Sequence, residues 1–289
     1  MRSFRYRLVN VFVESETATF GGNPLCVFEN AHGMTDAEMR SLTAQFNLSE
    51  ATFILPRENK HPQVRIFAPA FEMPFAGHPT IGTAFVANVL GLSGCTGDAA
   101  TLALNVGDIP VVHANGAWTF TANPHSSREI GLSQADSAEM LGLDVSDFSG
   151  VDTGRFVDCG SEQLIVPVAC VDALARVKPN AALLSRRART KQGRYAVQVV
   201  ARVAPDKFQV RFFFPKDGGL AEDPGTGSAC ANLGGYLLDA GEATPSQFTV
   251  TQGEFINRLN VLQLSLTADK RIRVGGRVLA LGGGEIQLP

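Results

Sequence analysis

The residue types best suited to chemistry lie at two proline-led junctions. The segment His78-Pro-Thr-Ile-Gly-Thr-Ala84 returns as Asp223-Pro-Gly-Thr-Gly-Ser-Ala229, displaced by 145 residues in a chain of 289. In each copy a polar side chain (His78, Asp223) precedes the proline, a hydroxyl (Thr83, Ser228) follows the glycine, and an apolar run comes next. A polar residue followed by Pro is a good helix start, because Pro lacks an N–H that would be unpaired there. A helix beginning at such a point offers free N–H groups and partial positive charge, both receptive to an anion. Two such starts, related by duplication, predict one anion site served by two lobes. Ser228 and the N–H groups of Gly227 and Ala229 suit a carboxylate, and Gly77 lets backbone approach a ligand closely. Glu50 stands just before a strand pattern, the rigid setting that proton transfer at carbon requires. Read alone, it is better explained as an exposed loop acid. Asn23 and Ser49 are further polar candidates, although Asn23 also reads as a turn terminator.

The elements that must hold these residues are mostly strands. Period-2 or β-branched runs cover Leu8–Val13, Pro24–Phe28, Thr52–Leu55, Val64–Phe67, Thr101–Leu104, Ile109–His113 and Trp118–Ala122. A second set covers Leu164–Pro167, Tyr195–Val203, Phe208–Phe214, Phe248–Gln252, Leu262–Leu266, Ile272–Val274 and Val278–Leu281. Helical patterns are few: Asp36–Phe46 with Thr35 as N-cap and Glu38 in a capping box, Pro79–Leu90, Gln134–Leu141 and Pro224–Leu238. The helices after the two junctions lack a charged face, so each is expected in the centre of its lobe. Many strands around one apolar helix, twice over, predict an α+β fold of two pseudo-symmetric lobes rather than a parallel βαβ sheet. The polar stretch Asn123–Ser127 marks the boundary. The expected lobes are residues 1–122 plus 275–289 and residues 123–274, with the glycine-flanked last strand returning to the first. The basic run Arg186–Arg194 is expected to be a solvated loop.

Composition removes several classes of function. Hydrophobic residues make up 45% and charged residues 18%, a globular balance. A net charge of −3 gives no electrostatic reason to expect nucleic acid or an anionic membrane as partner. No apolar run approaches the ~20 residues that span a bilayer, and the N-terminus alternates like a strand. Five cysteines form no CxxC and no even framework, which suits a reducing, cytoplasmic setting. Five scattered histidines have no ligand spacing, and no phosphate-binding or dinucleotide-binding glycine motif occurs, so no metal or cofactor is expected.

Four stretches together resemble the phenazine-biosynthesis PhzF-type isomerases, which share the diaminopimelate epimerase fold. They are Asn10-Val-Phe followed by Gly21-Gly-Asn-Pro-Leu25, Asn47-Leu-Ser-Glu-Ala-Thr-Phe53, Phe71-Glu-Met-Pro-Phe-Ala-Gly-His-Pro-Thr80 and Glu222-Asp-Pro-Gly-Thr-Gly-Ser-Ala229. The resemblance implies two lobes, each a barrel-like, mostly antiparallel sheet around a central helix, with the active site in the cleft and a homodimeric assembly. It also implies cofactor-independent proton transfer on a small carboxylate resembling trans-2,3-dihydro-3-hydroxyanthranilate, with Glu50 as the proton-shuttling acid. His78 and Asp223 would orient polar substituents, and Ser49, Gly77, Gly227, Ser228, Ala229 and Asn23 would bind substrate. The chain departs from the family pattern in having Ala68 for Thr, Gly225 for Ala, and Asn257-Arg-Leu-Asn260 for a Gly-Arg-Pro-Ser-like stretch. Gly225 is expected to loosen the start of the second helix.

Related epimerases place a cysteine at each helix mouth. This chain has none there, and Cys230 is expected to turn into the core. The alternatives to double-bond isomerisation are a thiol-free epimerase using Glu50 and Asp223 as opposed bases, and a non-catalytic ligand-binding member. A positively charged helix mouth is expected to pull the Glu50 pKa below its ordinary value of about 4.3, whereas a base requires the opposite. Partial desolvation would counter that pull.

Overall fold

The computed structural model describes all residues except Val151 and Asp217. By internal contacts the chain divides into two compact units, Met1–Thr121 with Gly275–Pro289, and Ala122–Val274.

The first unit runs β1 (Arg2–Val13), β2 (Asn23–Phe28), α1 (Asp36–Gln45), β3 (Ala51–Leu55), β4 (Gln63–Phe67), β5 (Glu72–Met73), α2 (Gly77–Val89), β6 (Cys95–Thr96), β7 (Ala99–Leu104), β8 (Gly107–Ala114) and β9 (Ala117–Thr121). The second runs β10 (Ser126–Glu129), α3 (Gln134–Leu141), β11 (Arg155–Asp158), β12 (Gln163–Val168), α4 (Val171–Arg176), α5 (Ala181–Arg187), β13 (Val197–Ala204), β14 (Lys207–Lys216), β15 (Gly219–Asp223), α6 (Gly227–Asp239), β16 (Ser246–Gln252) and β17 (Asn260–Leu266). The last strand, β18 (Ile272–Leu288), begins in the second unit and continues into the first.

In the first unit, β18 pairs with β1 and β9, and the ladder continues through β2, β3, β4, β7 and β8 back to β9. The sheet therefore closes on itself, which removes its edges. α2 packs against β1, β2, β3, β7 and β9, and its residues from Gly77 to Ala84 are all buried. Strand alternation explains why so few residues are polar. On β2 and β3, Cys26, Phe28, Ala51 and Phe53 face outward and pack under α1 with Met39 and Leu42. The alternate positions point inward to α2, as the Thr83 hydroxyl donating to Thr52 Oγ1 at 2.8 Å shows.

The second unit repeats this plan. Its ladder runs β10–β11–β12–β13–β14–β16–β17, with β15 a hairpin partner of β14. α6 packs on β10, β11, β12 and β17. Leu164, Val166, Val197, Val199 and Phe213 face the other way, into a core with α3, α4 and α5.

The predicted capping box and one helical pattern appear as read. Thr35 and Glu38 form a reciprocal capping box at the start of α1, and α3 spans the expected residues. The two junction helices begin elsewhere. α2 starts at Gly77 with Ala76 as N-cap, and α6 at Gly227 with Thr226 as N-cap. The proline-led alignment is thus five residues out of step. The matching segments are Glu72-Met-Pro-Phe-Ala-Gly-His78 and Glu222-Asp-Pro-Gly-Thr-Gly-Ser228, displaced by 150. Strand register confirms it: Phe67 pairs with Glu72 and Ile66 with Met73, while Phe213 pairs with Glu222 and Phe212 with Asp223. His78 therefore corresponds to Ser228 and Asp223 to Met73, so His78 and Asp223 are not equivalent caps.

Several other readings need correction. Helices α4 and α5 have no counterpart among the helical patterns read from the sequence, and the last two strand runs are one long strand. Its Gly283 faces Tyr6, where a Cβ would stand 2.4 Å from the Tyr6 carbonyl oxygen. The basic run is partly helical: Arg186 and Arg187 form the last turn of α5, and Arg187 pairs with Glu139 at 2.8 Å.

Candidate active site

In the first unit, parity brings the polar residues together. Glu50 precedes β3 and shares the inward face of Thr52, and Asn23 shares the inward face of Leu25. His78, in the first turn of α2, meets both. Its Nε2 lies 3.7 Å from Glu50 Oε2, and its Nδ1 lies 3.5 Å from Asn23 Nδ2. α2 has no side-chain cap, so its first N–H groups, from Gly77 onward, are left to other acceptors. The reading of Glu50 as an exposed loop acid is overturned, because its side chain is only 17% exposed. Among the described residues, Glu50 Oε2 is buried with no hydrogen-bond partner. Burial pushes the Glu50 carboxyl above the ordinary carboxylate range, against a smaller opposing pull from a hydrogen bond with Ser49. The expected lowering by the helix mouth is therefore corrected: desolvation dominates.

In the second unit, Asp223 ends β15 three residues before the N-cap of α6. The Thr226 hydroxyl donates to Asp223 Oδ2. Gln252, at the end of β16, ties the turn together. Its Oε1 accepts from Thr226 N at 3.1 Å, and its Nε2 donates to the Asp223 carbonyl at 2.7 Å and to Thr226 Oγ1 at 2.9 Å. Ser228 Oγ accepts from Gln163 Nε2 at 3.0 Å, which leaves its own proton to donate elsewhere. Asn232 Nδ2 in turn donates to Gln163 Oε1 at 2.9 Å. Gly227 and Ala229 are buried on the first turn. Sequence reading missed Gln163, Asn232 and Gln252. Their only signal is polar residues at buried strand and helix positions, which needs the register to interpret.

Cys230 is buried on α6, and burial pushes its thiol far above its ordinary range. Neither helix mouth presents a thiolate. Among the described residues no group of three or more His, Cys, Asp or Glu is placed to hold a metal ion, and no helix is long and apolar enough to cross a membrane.

A two-unit α+β fold, each unit a sheet around one buried helix with polar residues at its N-terminus, defines a class that includes the PhzF isomerases. The chain belongs to the phenazine biosynthesis-like (PhzC-PhzF) family, whose model matches residues 9–283, and it is an isomerase of that family. It is 37% identical to an uncharacterized isomerase of Pasteurella multocida, covering 99% of this chain and 95% of that one. It is 30% identical to trans-2,3-dihydro-3-hydroxyanthranilate isomerase of Pseudomonas fluorescens, covering 92% and 94%. The fold matches the crystal structure of a Bacillus anthracis PhzF-family protein with a TM-score of 0.86 over 100% of both chains, at 22% identity.

Proposed function

We propose that this isomerase shifts a double bond in a small unsaturated carboxylate resembling trans-2,3-dihydro-3-hydroxyanthranilate, using Glu50 as the sole proton carrier. One observation carries the reading: a desolvated carboxyl, raised in basicity, whose Oε2 has no hydrogen-bond partner among the described residues. A carboxylate in that state is a stronger base than one in water. Glu50 takes the proton from carbon, and the electron pair left behind delocalises into the conjugated system. The resulting anion is stabilised by N–H dipoles and hydroxyl donors. Glu50, now protonated, returns the same proton to a different carbon, so atoms and charge balance without a co-reactant. His78, 3.7 Å from Glu50, positions the reacting region. In the first unit Gly77, Ser49 and Asn23 are the candidate substrate contacts beside Glu50, and in the second unit the candidates are Asp223, Ser228 and the first N–H groups of α6.

Glu50→Gln is nearly isosteric and tests this directly. With trans-2,3-dihydro-3-hydroxyanthranilate as substrate, turnover is expected to fall at least about a hundredfold, while affinity for a carboxylate ligand stays nearly unchanged. A Glu50→Gln protein that turns over at the parent rate would refute the assignment. Exchange of solvent deuterium at one stereocentre, with no shifted double bond, would favour an epimerase working through Glu50 and Asp223.

A further inference from the structure

Asn232 and Gln163 form a chain of amides whose direction is fixed by the backbone. Asn232, buried on α6, accepts at Oδ1 from the Cys159 N–H at 2.9 Å, and a backbone N–H only donates. Nδ2 is therefore the atom that donates to the Ser161 carbonyl at 2.8 Å and to Gln163 Oε1 at 2.9 Å. With Oε1 taken, Gln163 turns Nε2 to Ser228 Oγ at 3.0 Å. The serine oxygen accepts there, so its proton lies on another side. Among the described residues Ser228 Oγ makes no other hydrogen bond. The other hydroxyl of this turn is committed, since Thr226 Oγ1 accepts from Gln252 and donates to Asp223. Ser228 is half-buried between the buried Gly227 and Ala229, which leaves part of it open to solvent. The loosening expected of Gly225 is corrected: the Asn260 carboxamide occupies the space its Cβ would take.

We infer that Gln163 and Asn232 are positioning residues that hold Ser228 as a hydrogen-bond donor, so that the start of α6 selects a carboxylate over the matching carboxamide. This rests on the proposed reading that a small carboxylate meets Ser228 and the first N–H groups of α6. The first hydrogen bond of that helix runs from Cys230 N to the Thr226 carbonyl, so the N–H groups of Gly227, Ser228 and Ala229 precede the ladder. Together with the Ser228 hydroxyl they present donors alone. A carboxylate carries acceptors alone and satisfies them with both oxygens. A carboxamide sets its NH2 against one of these donors whichever way it turns. Without Gln163, Ser228 turns its proton away and accepts from that NH2. The helix charge favours an anion with or without this chain; what the chain adds is rejection of the amide.

Calorimetric titration of the full chain with anthranilate and anthranilamide tests the inference, since the two differ only at the carboxyl group. The parent is expected to bind anthranilate more tightly. Gln163→Leu should narrow that preference about tenfold, the worth of one hydrogen bond, and should bind anthranilamide more tightly than the parent does. Damage to the fold weakens ligands and does not produce that gain. Gln163→Glu keeps the shape, takes the Ser228 proton and should also raise anthranilamide affinity, which decides the matter if the leucine variant does not fold. Asn232→Asp touches no ligand and still accepts from Cys159, but it offers Gln163 an acceptor, so Gln163 reverses and anthranilamide affinity should rise again. Folded variants that weaken both ligands in proportion, or leave the ratio unchanged, would overturn the inference. Ser228→Ala separates its failure from that of the binding reading. Unchanged anthranilate affinity in Ser228→Ala would remove the reading and the inference with it. Weakened anthranilate there, with an unchanged ratio in the Gln163 variants, would remove the inference alone. Failure of the Glu50 assignment appears in turnover and not in this ligand comparison.

Discussion

The β4–β5 and β14–β15 hairpins share one device at two depths, so they permit a controlled test of what burial does to an ion pair. Arg65 forks onto Glu72 through Nε at 2.8 Å and Nη2 at 2.6 Å, and reaches Asp36 in the first turn of α1 at 2.7 Å. Arg211 forks onto Glu222 at 3.0 and 2.7 Å, and reaches the carbonyls of Leu174 and Val177 near the end of α4 at 3.2 and 2.9 Å. Each guanidinium also lies over a phenylalanine ring, Phe67 at 4.9 Å and Phe213 at 4.8 Å. The difference is solvent: the side chains are 19% and 24% exposed in the first pair, but 11% and 8% in the second. Removing one partner of a buried pair leaves an uncompensated charge and costs about 3–5 kcal/mol. Arg211→Leu should therefore cost about 4 kcal/mol, since Glu222 is left with little water. Arg65→Leu should cost about 1–2 kcal/mol, nearer the range of exposed pairs, because Glu72 keeps water and the Asn105 amide at 3.0 Å. Arg211→Lys should recover little, as an ammonium cannot reproduce the fork. Urea unfolding gives the readout. Trp118, the single tryptophan, is buried in the first unit, so its fluorescence follows that unit while circular dichroism follows both. Equal losses for the two leucine variants, or a larger loss at Arg65, would refute burial as the deciding factor.

Two further outcomes follow from single positions. Burial raises the Glu50 pKa in the folded state, so the fold binds this proton more tightly than the unfolded chain does. Stability from this group is therefore fully present below the unfolded value of about 4.3 and is lost as pH rises through the folded value. Glu50→Gln should accordingly be more stable than the parent at pH 8 and not at pH 4, and urea midpoints at the two pH values would show the opposite trend if the sign were wrong. Gly82→Ala would place a Cβ 2.6 Å from Leu25 Cδ2 and 2.9 Å from Val11 Cγ2; overpacking of this kind should cost about 1–3 kcal/mol, and a melting temperature at or above the parent's would contradict it.

What the sequence discloses depends on how local each cause is. α1 is legible because its start signal, Thr35 with Glu38, lies within four residues, and α3 is legible by its pattern, its Ser133–Asp136 capping box appearing only in the structure. α4 and α5, of six and seven residues, are too short for periodicity to show and are stabilised by the core they cover. The duplication is visible but misaligned, since proline, glycine and small residues recur often enough to match by chance. The true equivalence lies in strand pairing of Glu72 and Glu222, which needs the hairpins. Glu50 is recognisable by motif, but its burial follows from its parity with Thr52 and the position of His78. The link from Gln252 to Thr226 spans 26 residues, so no window of sequence contains it.

The course of β18 has a consequence for synthesis on the ribosome. β1 pairs from Arg2 to Val13 with β18 residues Arg277 to Leu288, so the first strand made waits for the last. The second unit, Ala122–Val274, is continuous and has all its residues before the first unit can close. Until then one side of β1 exposes unpaired N–H and C=O groups beside apolar Val9 and Val11, the kind of edge that recruits foreign strands. Nascent-chain aggregation should therefore depend on how long that edge stays open, and slowing translation near the C-terminus should aggravate it without altering the finished enzyme.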